Sequence, residues 1–137
     1  VQALAATAGV AVISCQQLLP ELAERLARVE LAVFVDAALD LPPGEVRTER
    51  VEAEATATLG HHTTVATLLA LAQAVYGCSP ETFLVGVGAA SLEFGEALSE
   101  QVAAAVPDVI AAVQAVLSCH CKPSKAILDE ITSLRSQ

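Results

Sequence analysis

The run Leu31-Ala32-Val33-Phe34-Val35 constrains the fold more than any other stretch of this chain. Five consecutive apolar residues leave no polar face, so a strand built from them must be covered on both sides. A strand with one wet face would alternate apolar and polar residues instead. Two other runs have the same character. "GVAVISC" spans residues 9–15 and "ETFLVGVG" spans residues 81–88; both are short and rich in β-branched residues. The segments between these runs carry helical periodicity. The expectation is an α/β fold: a three-layer sandwich, with a mainly parallel twisted sheet and helices on both faces.

The helical segments carry their own start and stop signals. In "LLPELAERLARVE", residues 18–30, Leu18, Leu22 and Leu26 recur one turn apart and form a stripe to bury. Pro20 suits a first turn that needs no backbone N–H, and Glu21 favours the positive end of the helix dipole. "TTVATLLALAQAVYG", residues 63–77, is the strongest helix. Thr63 or Thr64 caps it, Gly77 stops it, and Val65, Leu68, Leu69, Ala72, Val75 and Tyr76 form its apolar face. A third helix spans residues 98–118, capped by Ser99, with Pro107 inside predicting a kink or a break. Pro42-Pro43-Gly44 marks a turn, and "EVRTERVEA" after it, charged on both faces, reads as an edge strand. The segment at residues 122–137 is mixed, with an amphipathic turn or two expected.

Charge and cysteines narrow the function. The 137 residues carry 16 acidic side chains against 7 Lys and Arg, a net charge of −9. No cationic cluster is there to neutralise phosphates, which argues against a nucleic-acid partner. No uninterrupted apolar run approaches the roughly 18–20 residues of a bilayer span. No basic-then-apolar leader precedes the first strand, so a cytoplasmic location is expected. The four cysteines, Cys15, Cys78, Cys119 and Cys121, lack paired zinc-site spacing and read as reduced thiols. Cys119-His120-Cys121 is a weak soft-metal signal on its own.

Two features bear on chemistry. Asp36 ends the Leu31 run at the carboxyl end of a buried strand, where ligands of open parallel sheets gather. "LGHH" places His61 and His62 just before the strongest helix. A carboxylate and an imidazole at one rim can bind a borderline metal such as nickel, zinc or iron. Asp36 is equally compatible with a turn or cap role, and the histidines with a plain surface position. Nucleophilic catalysis has less support. Ser91 lies outside any G-x-S-x-G elbow, Cys15 reads as a buried inert thiol, and "GVGAAS" matches no phosphate-binding loop.

The ordered blocks "QLLPELAERLA", "VFVDAALDLPPGEV", "HHTTVATLLALAQAVYG" and "VGVGAASLEFGEALSEQVAAAVP" carry a resemblance. Across about residues 6–117 the chain resembles the hydrogenase maturation endopeptidases. Those are cytoplasmic proteases that remove the C-terminal extension from the large-subunit precursor of nickel–iron hydrogenases. The resemblance implies one α/β domain over residues 1–121 followed by a C-terminal tail at 122–137. It implies a nickel-recognition site that includes Asp36 and His61, with His62 as the runner-up for His61. The nickel would come with the precursor, so the metal reports that the substrate is loaded. No catalytic residue is assigned by the resemblance.

The chain departs from the family at its start. The family opens with a strand and a "G-N-x-x-x-x-D-D-G"-like loop that carries an acidic ligand, and no such motif occurs here. "VQALAATAG", residues 1–9, reads as the second half of the helix that should follow that loop. Either upstream residues are missing, or the tail or a partner fills the inner place in the sheet. Glu21, Glu93 and Glu96 remain as acids that could approach the site. Two other functions stay open: a module that binds the precursor without cutting, and a small-molecule-binding α/β domain.

Overall fold

The computed structural model describes residues 2–7, 9–55, 63–91, 97–120 and 125–129. The elements are α1 (Gln2–Ala5), β1 (Val10–Ser14), α2 (Leu22–Leu26), β2 (Leu31–Ala38), β3 (Val46–Val51), α3 (Val65–Tyr76), β4 (Glu81–Gly88), α4 (Glu100–Cys119) and β5 (Lys125–Asp129). The chain is α/β with a mixed sheet, whose strand order is β1-β5-β2-β4-β3. The pairings β1 with β5, β5 with β2, and β2 with β4 are parallel. The edge strand β3 runs antiparallel to β4.

The continuous apolar run of β2 does what its composition requires. Leu31, Val33 and Val35 face one cluster, which also holds Leu4 of α1 and Val102, Ala105, Val113, Val116 and Leu117 of α4. Ala32 and Phe34 face the other, with Ala23 and Leu26 of α2 and Leu68, Leu69 and Ala72 of α3. Phe34 is 1 % exposed and Val33 0 %. Each such side chain contributes roughly 1.5–3 kcal/mol by leaving water.

The helix ends follow their sequence signals. Thr64 caps α3, its hydroxyl accepting from the Thr67 N–H at 3.1 Å. Gly77 closes the helix in the left-handed region at φ 77°. Val75 and Tyr76, expected on the apolar face, are 61 % and 47 % exposed, because the last turn of α3 runs past the packed cluster. Ser99 caps α4 by accepting from the Val102 N–H. The predicted break at Pro107 is absent: α4 is continuous through it. Pro107 and Ala103, whose carbonyl loses its i+4 donor, both lie on the exposed side, where water can take that bond. α2 is shorter than expected. Glu21 is its exposed N-cap residue rather than part of its first turn.

Two expectations are corrected. β2 continues two residues beyond Asp36, because β4 supplies partners out to the Ala38–Gly88 pair. The tail holds a strand, β5, where amphipathic turns were expected, and this strand takes the inner place that one alternative had given the tail. An inner slot between two parallel strands offers backbone partners on both sides, and that outweighs weak local signals. Among the described residues, α4, with 20 residues, is long and apolar enough to cross a membrane by length and composition. It buries five of those residues against the sheet.

Candidate functional site

Register builds the site. Asp36 of β2 pairs with Gly86 of β4, and Gly86 pairs with Arg47 of β3. One step back, Phe34, Leu84 and Glu49 form the next row of the same face. Side chains alternate along a strand, so Asp36, Arg47 and Glu49 share the face that carries Phe34, α2 and α3. Beyond the packed helices this face opens into a cleft of about 420 Å³, lined by Asp36, Asp40, Arg47, Glu49, Leu84 and Gly86 among others. A volume of that order lies within the range of small-ligand pockets.

Local contacts fix the charged groups. Asp36 is half-buried, and its Oδ1 accepts from the Ala37 N–H at 2.7 Å. Arg47 donates from Nη1 to Asp40 Oδ2 at 2.8 Å, and its Nε stands 3.5 Å from Glu49 Oε2. The hydrogen bond from Arg47 holds the Asp40 carboxyl below its ordinary value of 3.8. The same bond, with the charges of Asp40, Glu49 and Glu45, raises the Arg47 guanidinium further into its charged range. The cleft therefore combines three carboxylates with one guanidinium held in place from two sides.

Glycine shapes the rim at Gly88. A Cβ on Gly88 would stand 1.8 Å from the Pro42 carbonyl oxygen. That glycine lets the turn at residues 42–44 close over β4, where the Gly88 N–H donates to Glu45 O and the Gly44 N–H to Gly88 O. The turn in turn starts β3 in the register that puts Arg47 opposite Gly86.

α3 feeds β4 through residues 77–80, so its C-terminus lies at the start of β4 and its N-terminus points toward the Asp36 end of the sheet. The start of α3 and Asp36 thus share one face. His61 and His62, the predicted partners of Asp36, lie outside the described residues, as do Glu93 and Glu96. Among the described residues, no group of three or more His, Cys, Asp and Glu side chains is arranged to hold a metal ion. Asp36 is the one predicted ligand whose place is described. Ser91 is exposed, and Cys15 is half-buried just after β1.

His120 belongs elsewhere. Its Nε2 lies 2.9 Å from Glu81 Oε2 and its Nδ1 2.9 Å from the Val116 carbonyl, with Phe83 edge-on at 5.3 Å. Glu81 begins β4, so this histidine fastens the end of α4 at the far end of the sheet from Asp36. Cys121 lies outside the described residues.

Arg47, Asp40, Glu49 and Gly86 were not legible as site residues in the sequence. Strand register joins Arg47, Glu49 and Gly86, and a hydrogen bond to Arg47 brings in Asp40 from the turn after β2; the one available sign was the pairing of Arg47 and Glu49 two apart on a single strand face.

The arrangement defines an α/β domain with a charged cleft along the carboxyl-end rim of its central strand. The family model for hydrogenase maturation proteases (HycI: Hydrogenase maturation protease) matches residues 9–116, and the chain belongs to that family. No curated protein and no solved structure matches the chain significantly.

Proposed function

We propose that this chain acts as an endopeptidase that removes the C-terminal extension of a nickel–iron hydrogenase large-subunit precursor after nickel insertion. The observation that carries this reading is the placement of Asp36. In a chain of this family, its carboxylate lies in a cleft of about 420 Å³, on the face of the sheet that also carries the start of α3. We read the architecture as a three-layer sandwich with a mainly parallel sheet. The two apolar clusters on opposite faces of β2 support that reading.

Asp36 and His61, with His62 as runner-up, are the residues proposed to contact nickel. The metal is the precursor's cargo, so the protease needs to offer only part of a coordination sphere. A carboxylate is an acceptable partner for such a borderline ion, and an imidazole a good one. The reaction is placed in the cytoplasm, where the precursor would be loaded.

A second reading is a module that binds the precursor without cutting it. The composition of the cleft favours it: among the described residues, its charged groups are carboxylates and one guanidinium, which can hold a peptide without cleaving it.

The test incubates the full chain with a matched, nickel-loaded precursor and reads the precursor's C-terminus by mass spectrometry. Cleavage is expected. Asp36→Ala removes one of the proposed nickel contacts and should abolish cleavage, with the fold retained by circular dichroism. Full processing by a folded Asp36→Ala variant would remove Asp36 from the mechanism. Capture of the precursor with no cleavage would select the binding module.

A further inference from the structure

Gly86 sits in the middle of the row Asp36–Gly86–Arg47. Neighbouring strands stand about 4.8 Å apart, so the backbones bearing the carboxylate and the guanidinium are separated by about 10 Å. Only a hydrogen atom projects between them on that face.

The fold does not require this glycine. Gly44 and Gly77 have positive φ, and Gly88 faces the Pro42 carbonyl at clash distance. Gly86 has neither reason: its φ is not among the positive ones. A Cβ there would meet Ala38 Cβ at 3.4 Å, then the Arg47 carbonyl oxygen and Leu41 Cδ1 at 3.8 Å. Those are ordinary contacts. A glycine inside a strand weakens it, through backbone entropy and a missing side chain to pack. The chain carries that cost at a buried position which lines the cleft.

We propose that Gly86 is the floor of a seat for one peptide unit of the substrate, held between Asp36 and Arg47. A carboxylate accepts hydrogen bonds and a guanidinium donates them. A peptide group presents one N–H and one C=O pointing in opposite directions, which matches a rim that accepts on one side and donates on the other. Arg47 has five N–H donors and keeps Asp40 while serving a second acceptor. Asp40 and Glu49 act as positioning residues, holding the guanidinium over the floor. Residues with a bulky side chain at the Gly86 position would occupy the space the peptide unit needs. This inference rests on the processing reading and names the part of the substrate that this site takes.

Stability and recognition should move in opposite directions, which a merely structural glycine would not allow. Gly86→Ala, Gly86→Val, Arg47→Lys and Arg47→Met are compared with the unaltered chain. Melting temperature, kcat and KM for the nickel-loaded precursor, and fluorescence-anisotropy binding of a synthetic peptide copying the precursor's C-terminal extension with its upstream flank are all measured. Gly86→Ala should keep or raise the melting temperature and raise both KM and the peptide Kd severalfold. Gly86→Val should raise both by at least tenfold. Arg47→Met should do the same, with partial recovery in Arg47→Lys. If Gly86→Val fails to fold, Gly86→Ala and the two Arg47 variants carry the test. Unchanged KM and peptide binding in folded Gly86 variants would overturn the seat while leaving the processing reading intact. An unaltered chain that neither cuts the precursor nor binds the peptide would overturn both.

Discussion

The two flanks of β2 are built by different means. On one flank stand β4 and β3, joined to β2 by chain segments close in sequence and reaching outward to an edge dressed with Arg47, Glu49 and Arg50. On the other flank stand β5 and β1, which come from opposite ends of the described chain. The first flank is held by pairs along all eight residues of β2, by the turn over Gly88 and by the helices on both faces. The second depends on a five-residue strand: among the described residues, β5 is the only ladder partner of β1. The site lies on the first flank. The charged cleft is therefore built on the flank with the longest strand pairing.

The largest expected effect tests the shared core. Phe34 is buried between β2, α2 and α3, and it directly precedes the Val35–Asp36 end of the strand. Phe34→Ala should cost roughly 3–5 kcal/mol, the range for emptying a buried aromatic site. Chemical denaturation would read this as a lower midpoint with an unchanged slope. A loss below about 1 kcal/mol would mean that α3 collapses into the space and that the face under the cleft is looser than its burial implies.

Ile127→Pro separates the flanks. Proline cannot donate to a ladder, so an inner strand tolerates it poorly. Amide exchange should accelerate at least tenfold in residues 125–129 and in Val10–Ser14 together, while β4 and β3 keep their protection. Hydrogen-exchange mass spectrometry reads each strand separately. If Val10–Ser14 stays protected, then the packing of Leu4, Val10 and Val12 on the α4 cluster holds β1, and the two flanks differ less than the ladder suggests.

The same division explains what the sequence made legible. The run from Leu31 to Val35 announced a strand buried on both faces, and Thr64, Gly77 and Ser99 announced helix ends, because each signal is local. The β3 edge was legible from charges on both of its faces. Lys125–Asp129 was not: three apolar residues in a charged segment become a strand only when a slot with partners on both sides exists. Asp36 was found because an aspartate after an apolar run is conspicuous. Its row partners Gly86 and Arg47 are 50 and 11 positions away by subtraction of residue numbers, and only register joins them. Gly86 also looked like Gly88 in sequence, and only the 1.8 Å and 3.4 Å neighbours of their absent side chains tell the two apart.

The smallest expected effect concerns the charge pair that shapes the cleft. Asp40 and Arg47 are solvent-exposed, so their attraction is screened by water and salt and adds little to global stability. Its signature is in titration. Arg47 lowers the folded-state pKa of Asp40 below 3.8, so the fold favours the ionised carboxylate. That contribution is complete above the unfolded value and is lost as pH falls through the folded one, hence only in acid below the ordinary carboxylate range. Near neutrality the pair is intact and Arg47 stays over the Gly86 floor. In the Arg47→Met variant the Asp40 midpoint, followed by the side-chain carboxyl carbon shift in NMR, should rise back toward 3.8. High salt should move the wild-type midpoint the same way, by less. A midpoint that ignores both changes would mean that Arg47 is not held at Asp40 in solution. The guanidinium would then be loose over the cleft, and the well-built flank would be well built only up to its surface.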